Sequence, residues 1–198
     1  MVLRNGVEIE DPLSVVLELV ETFTPFAIDD DPRPLAIGTA DLRLANRGGA
    51  RISATESAAV LGRREAIDRA LRAIDPGASL AEAVGAVPWS ALQKLFDAFA
   101  EIKGVGLSKT TKTLHPKRRA LIPMLDSVVQ TYLRDDLLDA AAPFGERALA
   151  LVHGYKRDLD LNRIALRALR RQLAERGHEL TEVRILDLAI WSARTASD

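Results

Sequence analysis

Ile102-Lys103-Gly104-Val105-Gly106-Leu107-Ser108-Lys109, then a basic segment, then Leu121-Ile122-Pro123-Met124-Leu125-Asp126, is the stretch on which the reading of this chain turns. Two glycines one residue apart let the backbone bend sharply and expose its N–H groups at the start of the next helix. The helix beginning near Leu107 adds the positive end of its dipole. Together these make an anion site suited to a nucleic-acid phosphate. Val105 is expected to plug inward between two helices. Lys103, Lys109, Lys112, Lys117, Arg118 and Arg119 fall between positions 103 and 119 with no acidic residue among them. Phosphate contact needs such concentrated charge. A helical hairpin with a solvated lysine face is the alternative.

Upstream, Val87-Pro88 opens a helix in which Trp89, Leu92, Phe96 and Phe99 recur at spacings of three and four, with Leu95 alongside. Aromatic residues at helical spacing read as a core face rather than a ligand box. Downstream, Asp126 follows an apolar stretch ending in Pro123-Met124-Leu125 and reads in two compatible ways. It caps the next helix by accepting from free backbone N–H groups, or it is an aimed carboxylate that stabilises developing positive charge. His115 reads as a solvated loop residue.

The rest of the chain reads as helices around this centre. Residues 1–10 are an extended lead turning at Asn5-Gly6. Asp11-Pro12 opens a helix with Val15, Val16, Leu19, Val20 and Phe23 inward, ending before Pro25. The segment from Ile28 to Pro34 is a loop with a solvated acidic triplet, Asp29, Asp30 and Asp31. Thr39 caps a helix that buries Leu42, Leu44 and Ala45 and stops at Gly48-Gly49. Arg47 and Arg51 flank that stop, which is either a solvated turn or an approach to a phosphate backbone. Ser53-Ala54-Thr55-Glu56 is a capping box. It starts a helix to about Leu61, and a second follows to Ile74. Ser79-Leu80-Ala81-Glu82 predicts another box, with a short helix ended by Gly85.

Beyond Asp126 the pattern predicts helices to about Leu133, over 145–154 and over 161–176. The last of these turns Leu161, Ala165, Leu169 and Leu173 inward and Arg163, Arg167, Arg170 and Arg171 to solvent. Gly177 ends it, and Thr181 opens a buried final helix in which Asp187 pairs with Arg184 at i, i+3.

The totals bound the function. In 198 residues, 47% hydrophobic and 28% charged with net charge −1, any basic site must be local. The absence of cysteine excludes disulfides, thiolate zinc sites and cysteine-held iron–sulfur clusters. Three histidines argue against a metal site, and no cofactor motif is present. There is neither a signal-peptide core nor an apolar run long enough for a membrane span. The composition fits a reducing cytoplasm, with no membrane partner expected.

The pattern Ile-x-Gly-Val-Gly-x-Ser, a short helix, then Ile-Pro-x-Leu-Asp resembles the helix-hairpin-helix DNA glycosylase superfamily. The resemblance covers about residues 88–133 and implies an all-α, glycosylase-like domain. Its hairpin, at about 88–115, would grip duplex DNA through Gly104, Val105, Gly106, Ser108, Lys109 and Lys112. Its aspartate, Asp126, would be catalytic. Bifunctional members place a nucleophilic lysine two residues after the second glycine. Ser108 stands there, as in monofunctional members, so the resemblance implies base excision without lyase chemistry. Thr110 occupies a position usually held by Ala.

Gly104–Asp126, together with Arg51-Ile52-Ser53 and Arg184-Ile185-Leu186-Asp187 through Trp191, also resembles an uncharacterised bacterial family of unknown function. The expectation is therefore one domain over 1–198, in one piece or two lobes, with about ten helices. It would bind DNA, with or without catalysis. A non-catalytic nucleic-acid-binding or protein-interaction module on the same scaffold is the alternative.

Overall fold

The computed structural model describes residues 1–22 and 35–195. Within them the chain is helical. The α-helices are α1 (Pro12–Thr22), α2 (Thr39–Arg47), α3 (Ala54–Gly62), α4 (Arg64–Arg72), α5 (Trp89–Asp97), α6 (Leu107–Leu114), α7 (Ser127–Tyr132), α8 (Phe144–Leu161), α9 (Arg163–Ala174) and α10 (Glu182–Thr195). Among the described residues there is no strand, only an antiparallel bridge between Val2 and Glu8, turned by Gly6 at φ +83°. Among the described residues no helix is long and apolar enough to cross a membrane. The end of the first helix before Pro25, Phe23 in its stripe and the acidic loop at 28–34 lie outside the described residues.

Helix α10 is the central element. Val183, Ile185, Leu186, Leu188, Ala189 and Ile190 are all buried, as an all-round apolar helix requires. Helices α1, α7, α8 and α9 pack around it. On the other side, α5 buries Leu92, Leu95 and Phe96 against α4 and α8. Each fully buried Leu or Phe contributes roughly 1.5–3 kcal/mol. The Asp97 carboxylate, at the end of α5, accepts from the Gly145 N–H at 2.9 Å and so joins α5 to the start of α8. One continuous core runs from Leu3 to Ile190.

Three local expectations are corrected. No helix boundary falls at 154, because α8 runs on to Leu161. Gly154 is a packing glycine there: a Cβ would collide with the Asp136 carboxylate. The next helix consequently starts at Arg163, which rotates its buried stripe to Leu166, Leu169 and Leu173 and leaves Leu161 65% exposed. Ser79 starts no helix. Its hydroxyl accepts from Ala81 N–H at 3.1 Å in a local turn, while Leu80 is buried and donates its own N–H to Ala120 O at 2.7 Å. Thr39 is the first helical residue, not the cap, which is Gly38.

Candidate nucleic-acid interface

The hairpin forms as a turn between α5 and α6. Gly104 sits at φ +82°, in the left-handed region that favours glycine, and a Cβ there would also strike the Glu56 carboxylate. Gly106 is different: its backbone is extended, at φ −85° and ψ −175°, and a Cβ would meet nothing within 4 Å. Val105 is buried, as expected. No side chain caps α6. Its first backbone donors, from Gly106 to Lys109, therefore lack a side-chain cap, as helix-start N–H groups that take an anion do. The two helices do not chiefly pack on each other, since α5 lies against α8 and α6 against α2. Thr110, in the close-packing position, is fully buried with its hydroxyl oxygen unpartnered.

The six basic residues of this stretch do not form one surface. Lys103 is exposed. Lys109 donates to Glu56 Oε1 at 2.6 Å. Glu56 completes the α3 capping box as well, accepting from Ser53 N–H at 2.8 Å. Those two donors hold its carboxyl below the usual range. Lys117 pairs with Asp41 at 2.8 Å and donates to Ala36 O at 3.1 Å. Arg118 is buried and donates to the carbonyls of Leu71 (2.9 Å) and Ile74 (2.8 Å), closing the C-terminal end of α4. Arg119 is partly buried. His115 is also buried rather than solvated: its Nδ1 lies 2.6 Å from Ile122 O, which can only accept. Burial pushes that imidazole down to about 4.

Lys112 takes another course. It projects from α6 into an open cleft of about 700 Å³. One wall is the turn after α2, which carries Arg47, Gly48, Gly49 and Arg51. Asn46 closes that turn with two hydrogen bonds, accepting from Ile52 N–H at 2.6 Å and donating to Ile52 O at 2.9 Å. Within it Arg51 is held at φ +56°, an unfavourable conformation for a side chain this large. Arg184 enters from α10. Leu19, Met124, Leu188 and Trp191 supply an apolar side. Among the described residues, four cations and one carboxylate, Asp126, line the cleft. Burial pushes the Lys112 ammonium down; the Asp126 charge opposes this, and Arg184 and Arg51 add to it.

Asp126 does both things expected of it locally. It is the N-cap of α7, with Oδ1 accepting from Val128 N–H at 3.0 Å and Val129 N–H at 3.1 Å. It also lines the cleft. Its Oδ2 accepts from the Trp191 indole N–H at 3.1 Å. The turn that delivers it is tied to the hairpin helix, because Thr111 Oγ1 accepts from Leu125 N–H at 3.0 Å. Ser108, in the first turn of α6, also lines the cleft, whereas Gly104, Val105, Gly106 and Lys109 do not.

The sequence left Arg47 and Arg51 open and did not place Trp191 at the site. The available signal was in α10, where Arg184, Asp187 and Trp191 are polar or amphipathic positions on one stripe of an otherwise apolar helix. Asp187 is also reassigned. Its hydrogen bonds are to Tyr155 and Met124 rather than to Arg184, which acts on it through charge: Asp187 Oδ1 lies 3.0 Å from Tyr155 Oη, and Oδ2 lies 3.4 Å from Met124 N. Among the described residues no cluster of His, Asp and Glu could hold a metal ion.

A model of a family of unknown function, DUF6308, matches residues 29–194, and the chain belongs to that family. No curated protein and no solved structure matches it.

Proposed function

We propose that this member of the DUF6308 family binds nucleic acid, with the backbone along the α6 start and one nucleotide received in the cleft. The observation that carries this is the gathering of Lys112, Arg47, Arg51 and Arg184, with Ser108 from the first turn of α6, around one open space. Phosphate oxygens find charge and N–H donors there. The apolar side, with Trp191, offers a surface for a base. Sequence-independent contacts of this kind give affinity and register rather than sequence specificity.

Within that reading the protein is a monofunctional N-glycosylase on a helix-hairpin-helix scaffold, and Asp126 is its catalytic carboxylate. A base extruded into the cleft would leave a sugar whose developing positive charge Asp126 faces. Three donors fix its orientation before substrate arrives. Ser108 in the position of the lyase nucleophile keeps the reaction to base release. One observation favours a second reading, a non-catalytic binding module: both Asp126 oxygens already have protein donors, so the residue is fully explained as a cap and an anchor for α10.

Anisotropy with a labelled DNA duplex tests the binding. Affinity should fall steeply with salt and drop at least about tenfold in the Arg47→Glu, Arg51→Glu double variant. Binding that ignores salt, or an unaffected double variant, sinks the interface. Base release from a lesion panel that disappears in Asp126→Asn, with binding retained, supports the enzyme. Absence of release from every lesion selects the second reading.

A further inference from the structure

Among the described residues that line the cleft, one charged group is able to give up a proton. Arg47, Arg51 and Arg184 are guanidiniums, which stay protonated in proteins. Asp126 accepts from the N–H groups of Val128, Val129 and Trp191, so it serves as an acceptor. The hydroxyls of Ser108 and Ser127 and the amide of Gln130 are far too weak as acids. That leaves the ammonium of Lys112.

Its setting differs from that of the other lysines. Lys94 and Lys103 are exposed. Lys109, Lys117 and Lys156 each hold a carboxylate, from Glu56, Asp41 and Asp160. Lys112 is half-buried, and it is influenced by burial and by neighbouring charges, with no hydrogen bond to its ammonium. Its Nζ lies over the turn after α2, where a Cβ added at Gly49 would stand 3.9 Å away. The charged groups around it come from each element of the cleft. Arg47 and Arg51 belong to the α2 turn, Asp126 to the head of α7 and Arg184 to α10, while α1 contributes Leu19. Burial makes this ammonium a readier proton donor than an exposed lysine. Asp126 opposes that, and Arg184 and Arg51 reinforce it.

We propose that Lys112 is the general acid of the cleft, passing its proton to a neutral base as that base leaves the sugar. This rests on the N-glycosylase reading and names its substrate class, an uncharged base that needs a proton to depart. The bond from C1′ to the base nitrogen breaks, its electron pair stays on the base, and the Lys112 proton neutralises it. The positive charge left on the sugar faces Asp126. The oxygen of a water molecule then bonds to C1′. The surplus proton of that water goes to solvent, from which the Lys112 amine is recharged. No bond forms between lysine and sugar, so the reaction ends at base release. Positioned proton transfer of this kind contributes about 10²–10⁴-fold in rate. A base alkylated to a cation leaves without such help, and the cations lining the cleft disfavour its entry.

The test compares the full wild-type chain with Lys112→Arg, which keeps the positive charge and gives up no proton. The probes are DNA duplexes carrying a single uracil, hypoxanthine or 7-methylguanine. Wild type should release at least one of the two neutral bases. With enzyme saturating, Lys112→Arg should release that base about 100-fold more slowly, while its duplex affinity by anisotropy stays within about threefold of wild type. A second readout needs no variant fold. Wild-type release should decline as pH rises from about 7 to about 10, because the ammonium is the working form. The residual release by Lys112→Arg should lack that decline. Release by Lys112→Arg within about threefold of wild type at saturation makes Lys112 a phosphate holder and overturns the proposal. Faster release of the cationic 7-methylguanine than of both neutral bases also overturns it. So does a covalent adduct with an abasic duplex, trapped by borohydride in wild type and missing in Lys112→Arg, since lysine then attacks the sugar. Wild type that binds duplex and releases no base removes the enzyme reading together with this role, and leaves the binding reading standing.

Discussion

The segment after the hairpin and the cleft beside it are both rich in basic residues, and they use them oppositely. In the segment, Lys117 is paired with Asp41, and Arg118 is spent on the carbonyls that end α4. At the hairpin itself, Lys109 is held by Glu56. In the cleft, Arg47, Arg51, Lys112 and Arg184 arrive from three separate parts of the chain and, among the described residues, share the lining with a single carboxylate. Charge density along a sequence is therefore not charge density on a surface. A cation with a carboxylate or carbonyl cage stabilises the fold, whereas cations gathered round an open cleft create a field that a ligand can use.

The largest expected effect separates buried titration from surface charge. The unfolded chain releases the Asp187 proton near pH 4, and the folded protein holds it to about pH 7. Asp187 therefore lowers stability as pH rises through that window, by roughly 4 kcal/mol in all. Asp187→Asn should remove this decline, so that its stability relative to wild type climbs by about that amount between pH 4 and pH 7 in urea titrations. His115 acts with the opposite sign. Its folded value of about 4 lies below its unfolded one, so its contribution is lost as pH falls from 6.5 towards 4. Without Asp187, that rise with pH stands unopposed.

Next comes the contrast between Arg118 and Lys112, six residues apart. Arg118→Met should cost about 2–3 kcal/mol, because α4 carbonyls lose their donors in a buried setting. Lys112→Met should leave stability unchanged or slightly raised, since a half-buried ammonium is removed, and should lower DNA affinity several-fold. The reverse pattern would break the comparison. Asp126→Ala should cost about 1 kcal/mol as a lost cap, read as a shift in urea midpoint. The smallest effect is the most selective. Gly106→Ala has no φ or packing penalty, so thermal stability should not change. A methyl group at the exposed α6 start should still weaken duplex binding about threefold, if phosphate approaches there. An equal affinity would move the backbone contact away from the hairpin.

Much of the scaffold was legible in the chain. The capping box at Ser53 and Glu56 formed as read. So did the turn at Gly104, the apolar face of α5, the burial of α10 and the cap at Asp126. Each of these depends on residues within a turn or two of one another, which is the range over which capping, glycine conformation and 3.6-residue periodicity act. Where local reading failed, a distant residue intervened. Gly154 lies inside α8, packed against Asp136, and Ala120 claimed the Leu80 N–H. Asp41 took Lys117 out of the basic cluster.

The candidate site divides in the same way. The sequence alone marked Gly104, Lys112 and Asp126, and flagged Arg47 and Arg51 as a turn with charge. It could not show that Arg184 and Trp191, about sixty residues beyond Asp126, close the same cleft, or that Asp187 is buried on the same helix. Those facts belong to the tertiary structure. Burial and the gathering of distant charges are set by which helices meet, and no spacing along the chain encodes that meeting.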